Sequence, residues 1–119
     1  MQARPRQKIL VVEDELLVRL DLAQAIHLEG REVSHVPSAE EALELLARDK
    51  SIGLVFTDIK MPGIIDGIEL AKKIRQRWPS ISVVVSSGNI ATDARCHALG
   101  APLMHKPYRL SELRRLLTS

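Results

Sequence analysis

One cysteine, Cys96, is all the thiol this chain has. That rules out an intrachain disulfide and leaves no zinc-ligand spacing. No apolar run approaches the length of a membrane span, and the segment Met1-Gln-Ala-Arg-Pro-Arg-Gln-Lys8 lacks the apolar core of a signal peptide. A cytoplasmic protein with no membrane association is therefore expected. The formal charge of +2 is too small to argue for nucleic-acid binding. Linkers, internal repeats and low-complexity segments are also missing. What remains is 119 residues, 45% hydrophobic and 27% charged, enough to bury one sound core but not two.

The pattern of apolar residues alternates between two periods. Lys8-Ile-Leu-Val-Val12 reads as a central strand, because its β-prone residues run without alternation. Glu13, Asp14 and Glu15 follow at once. A helix is expected over 15–29, with Val18, Leu22, Ala25 and Ile26 inward and Gly30 as its stop. A weaker strand covers 32–36. Ser38-Ala-Glu-Glu41 forms a capping box before the helix of Ala42, Leu43, Leu45 and Leu46. A third strand runs over 52–57 and ends in Asp58, where Met61-Pro62-Gly63 turns the chain. Helix 67–78, strand 81–85, a short helix near 91–99, strand 102–105 and helix 111–117 complete the reading. Residues 1–7 form a tail and 8–119 the domain.

Strand and helix alternate five times, which predicts an α/β fold: a doubly wound five-stranded parallel sheet covered on both faces. Right-handed crossovers favour the flavodoxin-like order 2-1-3-4-5. That order sets strand 1 beside strand 3, so Glu13, Asp14 and Asp58 meet at the carboxyl edge, where ligands gather in such sheets. Like-charged carboxylates about 4 Å apart cost roughly 4 kcal/mol per pair at an effective dielectric near 20. A proton or a cation must relieve that, and an all-oxygen site suits Mg²⁺. Strand 4 brings Ser86 or Ser87 to the same edge, and strand 5 brings Lys106. A carboxylate nucleophile, a hard metal, a hydroxyl and an ammonium together suit formation of an acyl phosphate on an Asp.

The chain closely resembles the receiver domain of two-component response regulators. The matching motifs are Val11-Val12-Glu13-Asp14-Glu15, Thr57-Asp58-Ile59-Lys60-Met61-Pro62-Gly63, Asp66-Gly67, Ser87-Gly88 and Lys106-Pro107-Tyr108. The resemblance implies that Asp58 accepts a phosphoryl group from a histidine kinase or histidine phosphotransfer protein of a bacterial phosphorelay. It implies Mg²⁺ held by Asp14, Asp58 and the backbone carbonyl of Lys60, with Glu13 acting through water. Ser87 and Lys106 would contact the phosphoryl group, and the Lys106-Pro107 bond would be cis. Such a domain is not an enzyme beyond its own phosphorylation and dephosphorylation. It works as a monomer or phosphorylation-dependent dimer, and signals to a protein partner through helix 4, strand 5 and helix 5. Because the chain ends at Ser119, a stand-alone receiver is the expectation.

Three departures stand out. One extra residue lies between Pro62 and Asp66-Gly67; Ser87 replaces the commoner Thr; and Leu103 stands where receivers often carry an aromatic. With Leu103, the switch is expected to depend more on backbone movement near helix 4. Competing readings are a phosphorylation-independent adaptor, an intermediate phosphotransfer protein, a metal-dependent phosphohydrolase and a flavin or nucleotide binder. The phosphohydrolase lacks its second acid two residues after Asp58, and Glu13-Asp14-Glu15 would repel a nucleotide phosphate. Glu13 and Asp14 could also merely cap the next helix. His27, His35, His97 and His105 share no ligand spacing, Trp78 should shield the end of helix 3, and Ser86 should point away from the site. Arg109, Arg114 and Arg115 are either a solvated face or partner contacts. Lys60 and Asn89 are expected to influence the lifetime of the phosphoryl group.

Overall fold

The computed structural model describes residues 8–60, 63–87 and 103–105, with Ser87 and 103–105 described by backbone alone. Its elements in chain order are β1 (Lys8–Val12), α1 (Leu16–Leu28), β2 (Val33–Val36), α2 (Ala39–Arg48), β3 (Ile52–Asp58), α3 (Gly67–Arg77), β4 (Ser82–Ser87) and β5 (Leu103–His105). The five strands form one parallel sheet in the order β2-β1-β3-β4-β5, as the alternation of patterns predicted. The helices expected near 91–99 and 111–117, the tail 1–7 and the Lys106-Pro107 bond lie outside the described residues, as do Cys96, His97, Asn89, Tyr108 and the three late arginines.

Strands β1, β3 and β4 are apolar on both faces, and that decides the layering. Leu10, Val12, Val55, Val83 and Val85 pack with Ala42 and Leu46 of α2 and Ile68, Ala71 and Ile74 of α3. Ile9, Val11, Phe56 and Val84 face the other way, onto Leu22 and Ile26 of α1. Each such side chain removed from water contributes about 1.5–3 kcal/mol. Of the residues expected inward on α1, Leu22 and Ile26 are buried while Val18 and Ala25 are half-buried. Ile68, Ala71 and Ile74 are buried, Lys72, Arg75 and Arg77 are exposed, and Trp78 packs half-buried against the α2/α3 side of the core.

Helix starts follow local chemistry. The Ser38 hydroxyl accepts the Glu41 amide (3.2 Å), and its proton goes to the Glu41 carboxylate (3.1 Å). The capping box thus closes between side chains. Asp66 caps α3 by accepting the Glu69 amide at 2.9 Å. On the amino edge, Lys8 pairs with Asp49 at 2.9 Å and Asp49 also accepts the Ser51 amide at 3.0 Å. Among the described residues, no helix is long and apolar enough to cross a membrane.

Candidate functional site

Register places the acids. Val12, the last residue of β1, pairs with Thr57 of β3, and Asp58 pairs with Ser86 of β4. Glu13 and Asp58 therefore stand one step beyond the same rung, at the carboxyl edge. Strand β3 continues through Asp58, one residue further than the apolar run suggested, because β4 extends to Ser87 and offers it a partner. The amide of Ile59 donates to the Ser86 carbonyl at 3.0 Å, which holds the chain just past Asp58 to the sheet.

Glu13, Asp14 and Asp58 each bring a carboxylate oxygen within 4.8 Å of the other two. Glu13 is buried, Asp58 half-buried and Asp14 exposed. Within 4.8 Å the carboxylates repel one another, by roughly 3.5 kcal/mol for a pair at an effective dielectric near 20 and by much less where exposed Asp14 is screened by water. Three oxygen donors of mixed exposure fit a hard divalent cation that keeps some of its water, which is the character of Mg²⁺. Helix capping does not account for the group: Glu15, the N-cap of α1, makes no side-chain capping bond. Locally, the Glu15 amide donates to the Glu13 carboxylate at 3.3 Å.

The two serines separate by register. Ser86 is buried beside Asp58, and its hydroxyl donates to the Thr57 carbonyl at 3.4 Å. Ser87 lies one residue further along the edge, paired with His105. The side chain of Ser87 and the whole of Lys106 lie outside what is described. Lys60 is exposed at the start of the loop after Asp58.

Three supports escaped sequence reasoning. Gly67 approaches β3 so closely that a Cβ there would overlap the Asp58 carbonyl oxygen and lie 2.7 Å from its carbon and 2.9 Å from Ile59 Cα. Its amide donates to the Ile59 carbonyl at 2.8 Å. Glu40 on α2 accepts the Ile65 amide at 3.3 Å and packs against Gly63, whose φ is 112°. It thereby braces the loop that carries the extra residue. Arg19 on α1 donates to the Glu13 carbonyl at 3.0 Å and to His35 Nδ1 at 3.2 Å. The Asp66-Gly67 pair was visible as a motif, but nothing in the local pattern marks Arg19, His35 or Glu40.

A parallel α/β sheet with an acid cluster at its carboxyl edge defines a class of phosphate- and metal-handling domains, and comparison with known proteins narrows it. The profile of the response regulator receiver domain matches residues 9–118. The chain belongs to that family. It is 38% identical over 109 residues to the response regulator protein FleR of Pseudomonas aeruginosa, covering 89% of this chain and 23% of FleR. With the response regulator MprA of Mycobacterium leprae it shares 31% identity over 109 residues, 89% of this chain and 47% of MprA. The chain thus spans less than half the length of these relatives. A response regulator receiver protein from Pseudomonas putida superimposes with a TM-score of 0.86 at 30% identity, over 98% of each chain. The response regulator TrrA of Thermotoga maritima, solved in complex with Mg²⁺–BeF, gives 0.81 at 28% identity, over 94% of this chain and 96% of TrrA.

Proposed function

We propose that this receiver domain is a phosphoacceptor, with Asp58 the residue that carries the phosphoryl group. The observation that supports this best is the convergence of Glu13, Asp14 and Asp58 within 4.8 Å at the carboxyl edge. In the reaction, an Asp58 carboxylate oxygen attacks the phosphorus of a phosphohistidine. The P–O bond forms as the P–N bond breaks, and the electron pair returns to the imidazole, which takes a proton from solvent.

Asp14, Asp58 and the Lys60 carbonyl would hold Mg²⁺, with Glu13 acting through water. When bound, the ion would supply neutralising charge for the phosphoryl oxygens. The Mg²⁺–BeF complex of TrrA supports this choice of metal. Ser87 would donate a hydrogen bond to the phosphoryl group and Lys106 would offset its charge as a point cation. Phosphorylation adds about −1.5 to −2 charge, and ordering those two groups biases the surface around helix 4, β5 and helix 5. The phosphodonor is a histidine kinase or phosphotransfer protein. Exposed Leu16, Leu17 and Leu20 on α1, beside the acid cluster, offer it an apolar contact. The domain changes only its own phosphorylation, works in the cytoplasm and passes its signal to a protein partner.

The test is incubation with Mg²⁺ and a small-molecule phosphodonor, read by intact mass. The wild type should gain one phosphoryl group and Asp58→Asn none. No gain by the wild type, or an equal gain by the variant, overturns the assignment.

A further inference from the structure

We propose that Arg19 is a positioning residue for the acid cluster, with His35 fixing the direction of its guanidinium. This rests on the metal-site reading above and extends it to a residue that touches neither metal nor phosphoryl group.

The argument starts from the exposure of Asp14. A carboxylate on an exposed turn, repelled by two others, lowers its energy by swinging into water. Something must hold the turn. The Glu13 amide donates to the Val36 carbonyl at 3.1 Å, which ties the start of the turn to β2. The Arg19 Nη1 donates to the Glu13 carbonyl at 3.0 Å. That oxygen belongs to the peptide joining Glu13 to Asp14, so the bond sets the plane from which the Asp14 side chain departs. The Arg19 amide donates to the Glu15 carbonyl at 2.9 Å, the first backbone bond of α1, which any residue at 19 other than proline would make. The bond to the Glu13 carbonyl is the one that depends on the Arg19 side chain.

The guanidinium needs a second anchor, because a long side chain with one bond still rotates. His35 on β2 provides it: its Nδ1 accepts from Arg19 Nε at 3.2 Å. His35 pairs in register with Val11, two residues before Glu13. The second anchor therefore rides on the strand beside the turn. A planar guanidinium donates from Nε and Nη1 in fixed directions, whereas an ammonium is a single point on a flexible stem and does not hold that fork.

Two effects of Arg19 on Mg²⁺ affinity have opposite signs. As a cation near the site it opposes binding, and as a brace on Asp14 it favours binding. The proposal is that the brace dominates, so removing Arg19 weakens Mg²⁺ binding although a repelling charge has gone. Outer-shell partners contribute about 10–100-fold to metal affinity, and one acting through the backbone belongs at the low end, about tenfold.

The experiment is a calorimetric Mg²⁺ titration of the full chain as wild type, Arg19→Ala, Arg19→Lys and His35→Ala, with a thermal melt of each in the absence of metal. Arg19→Ala should weaken Mg²⁺ about tenfold. Arg19→Lys should recover part of the loss, and His35→Ala should weaken binding in the same direction by less. In an Arg19/His35 cycle the double variant should lose less than the sum of the singles. If Arg19→Ala does not fold, Arg19→Lys and His35→Ala carry the test. Equal or tighter binding by Arg19→Ala overturns the proposal, tighter binding being the result for a merely repelling charge. So does a loss of affinity in every variant that simply follows its melting temperature. A wild type that binds no Mg²⁺ refutes the underlying site reading, whereas a binding wild type with unaffected variants refutes only the role of Arg19.

Discussion

Replacing Gly67 by alanine tests how β3 and α3 are locked together. Gly67 does not have a positive φ, unlike Gly30 and Gly63, so conformational strain plays no part and space alone decides. The added methyl would overlap the Asp58 carbonyl oxygen, and the nearest carbons, at 2.7 and 2.9 Å, are backbone and cannot rotate away. The start of α3 must retreat. Overpacking of this kind costs about 1–3 kcal/mol, and stretching the Gly67 amide to Ile59 carbonyl bond adds about 0.5–1.5 kcal/mol. Against this, alanine is favoured over glycine in a helix by roughly 0.5–1 kcal/mol. The net expectation is a destabilisation of about 1–3 kcal/mol, measured by urea unfolding, or a melting temperature lower by several degrees. Because the displaced carbonyl belongs to Asp58, phosphorylation from a small-molecule donor should also slow. A variant as stable as wild type, or stabilised as helix propensity alone would have it, refutes the reasoning.

Three further outcomes follow from the same geometry. Phe56→Ala should lose about 3–5 kcal/mol in urea unfolding, since Phe56 is fully enclosed by Ile9, Val11, Leu22, Ile26 and Val84; a loss below about 1 kcal/mol would mean that this layer collapses around the cavity. Asp14→Asn should melt higher than wild type without metal, by up to about 1 kcal/mol given its exposure, and should gain less on adding Mg²⁺; equal metal-induced shifts would count against Asp14 as a ligand. Asp49 has its carboxyl held down to about 2 by the Ser51 hydroxyl, Lys8 and the Ser51 amide. A lowered folded-state value stabilises above the ordinary carboxylate range and is lost on acidification. Asp49→Asn should therefore be slightly less stable than wild type at neutral pH. That gap should close as pH falls from about 4 towards 2, and a gap constant across that window would rule the ionisation out as its source.

Element ends show where local pattern stops being informative. The sequence places the end of the third strand at Thr57, yet β3 runs to Asp58, and the fourth strand lies at 82–87 rather than 81–85. β3 gains Asp58 by its pairing with Ser86, and β4 reaches Ser87 by its pairing with His105 of β5; neither segment can specify such a ladder alone. Helix α1 begins at Leu16, not at residue 15, because Glu15 is extended, with ψ of 117°. Ser86, expected to be an ordinary strand-end hydroxyl pointing away from the site, pairs in register with Asp58 and commits its hydroxyl to the Thr57 carbonyl.

By itself, the sequence determined the class of fold, the strand order and the meeting of Glu13, Asp14 and Asp58. Apolar period and turn residues mark each element, and the handedness of crossovers leaves few ways to assemble them. Only the tertiary structure decided what steadies those acids. Arg19 bonds His35 across 16 residues, Glu40 bonds Ile65 across 25, and Gly67 presses on the Asp58 carbonyl. Each of these is a backbone or side-chain approach between separate elements. Periodicity says which face of an element is buried; it does not say which atoms of two distant elements meet.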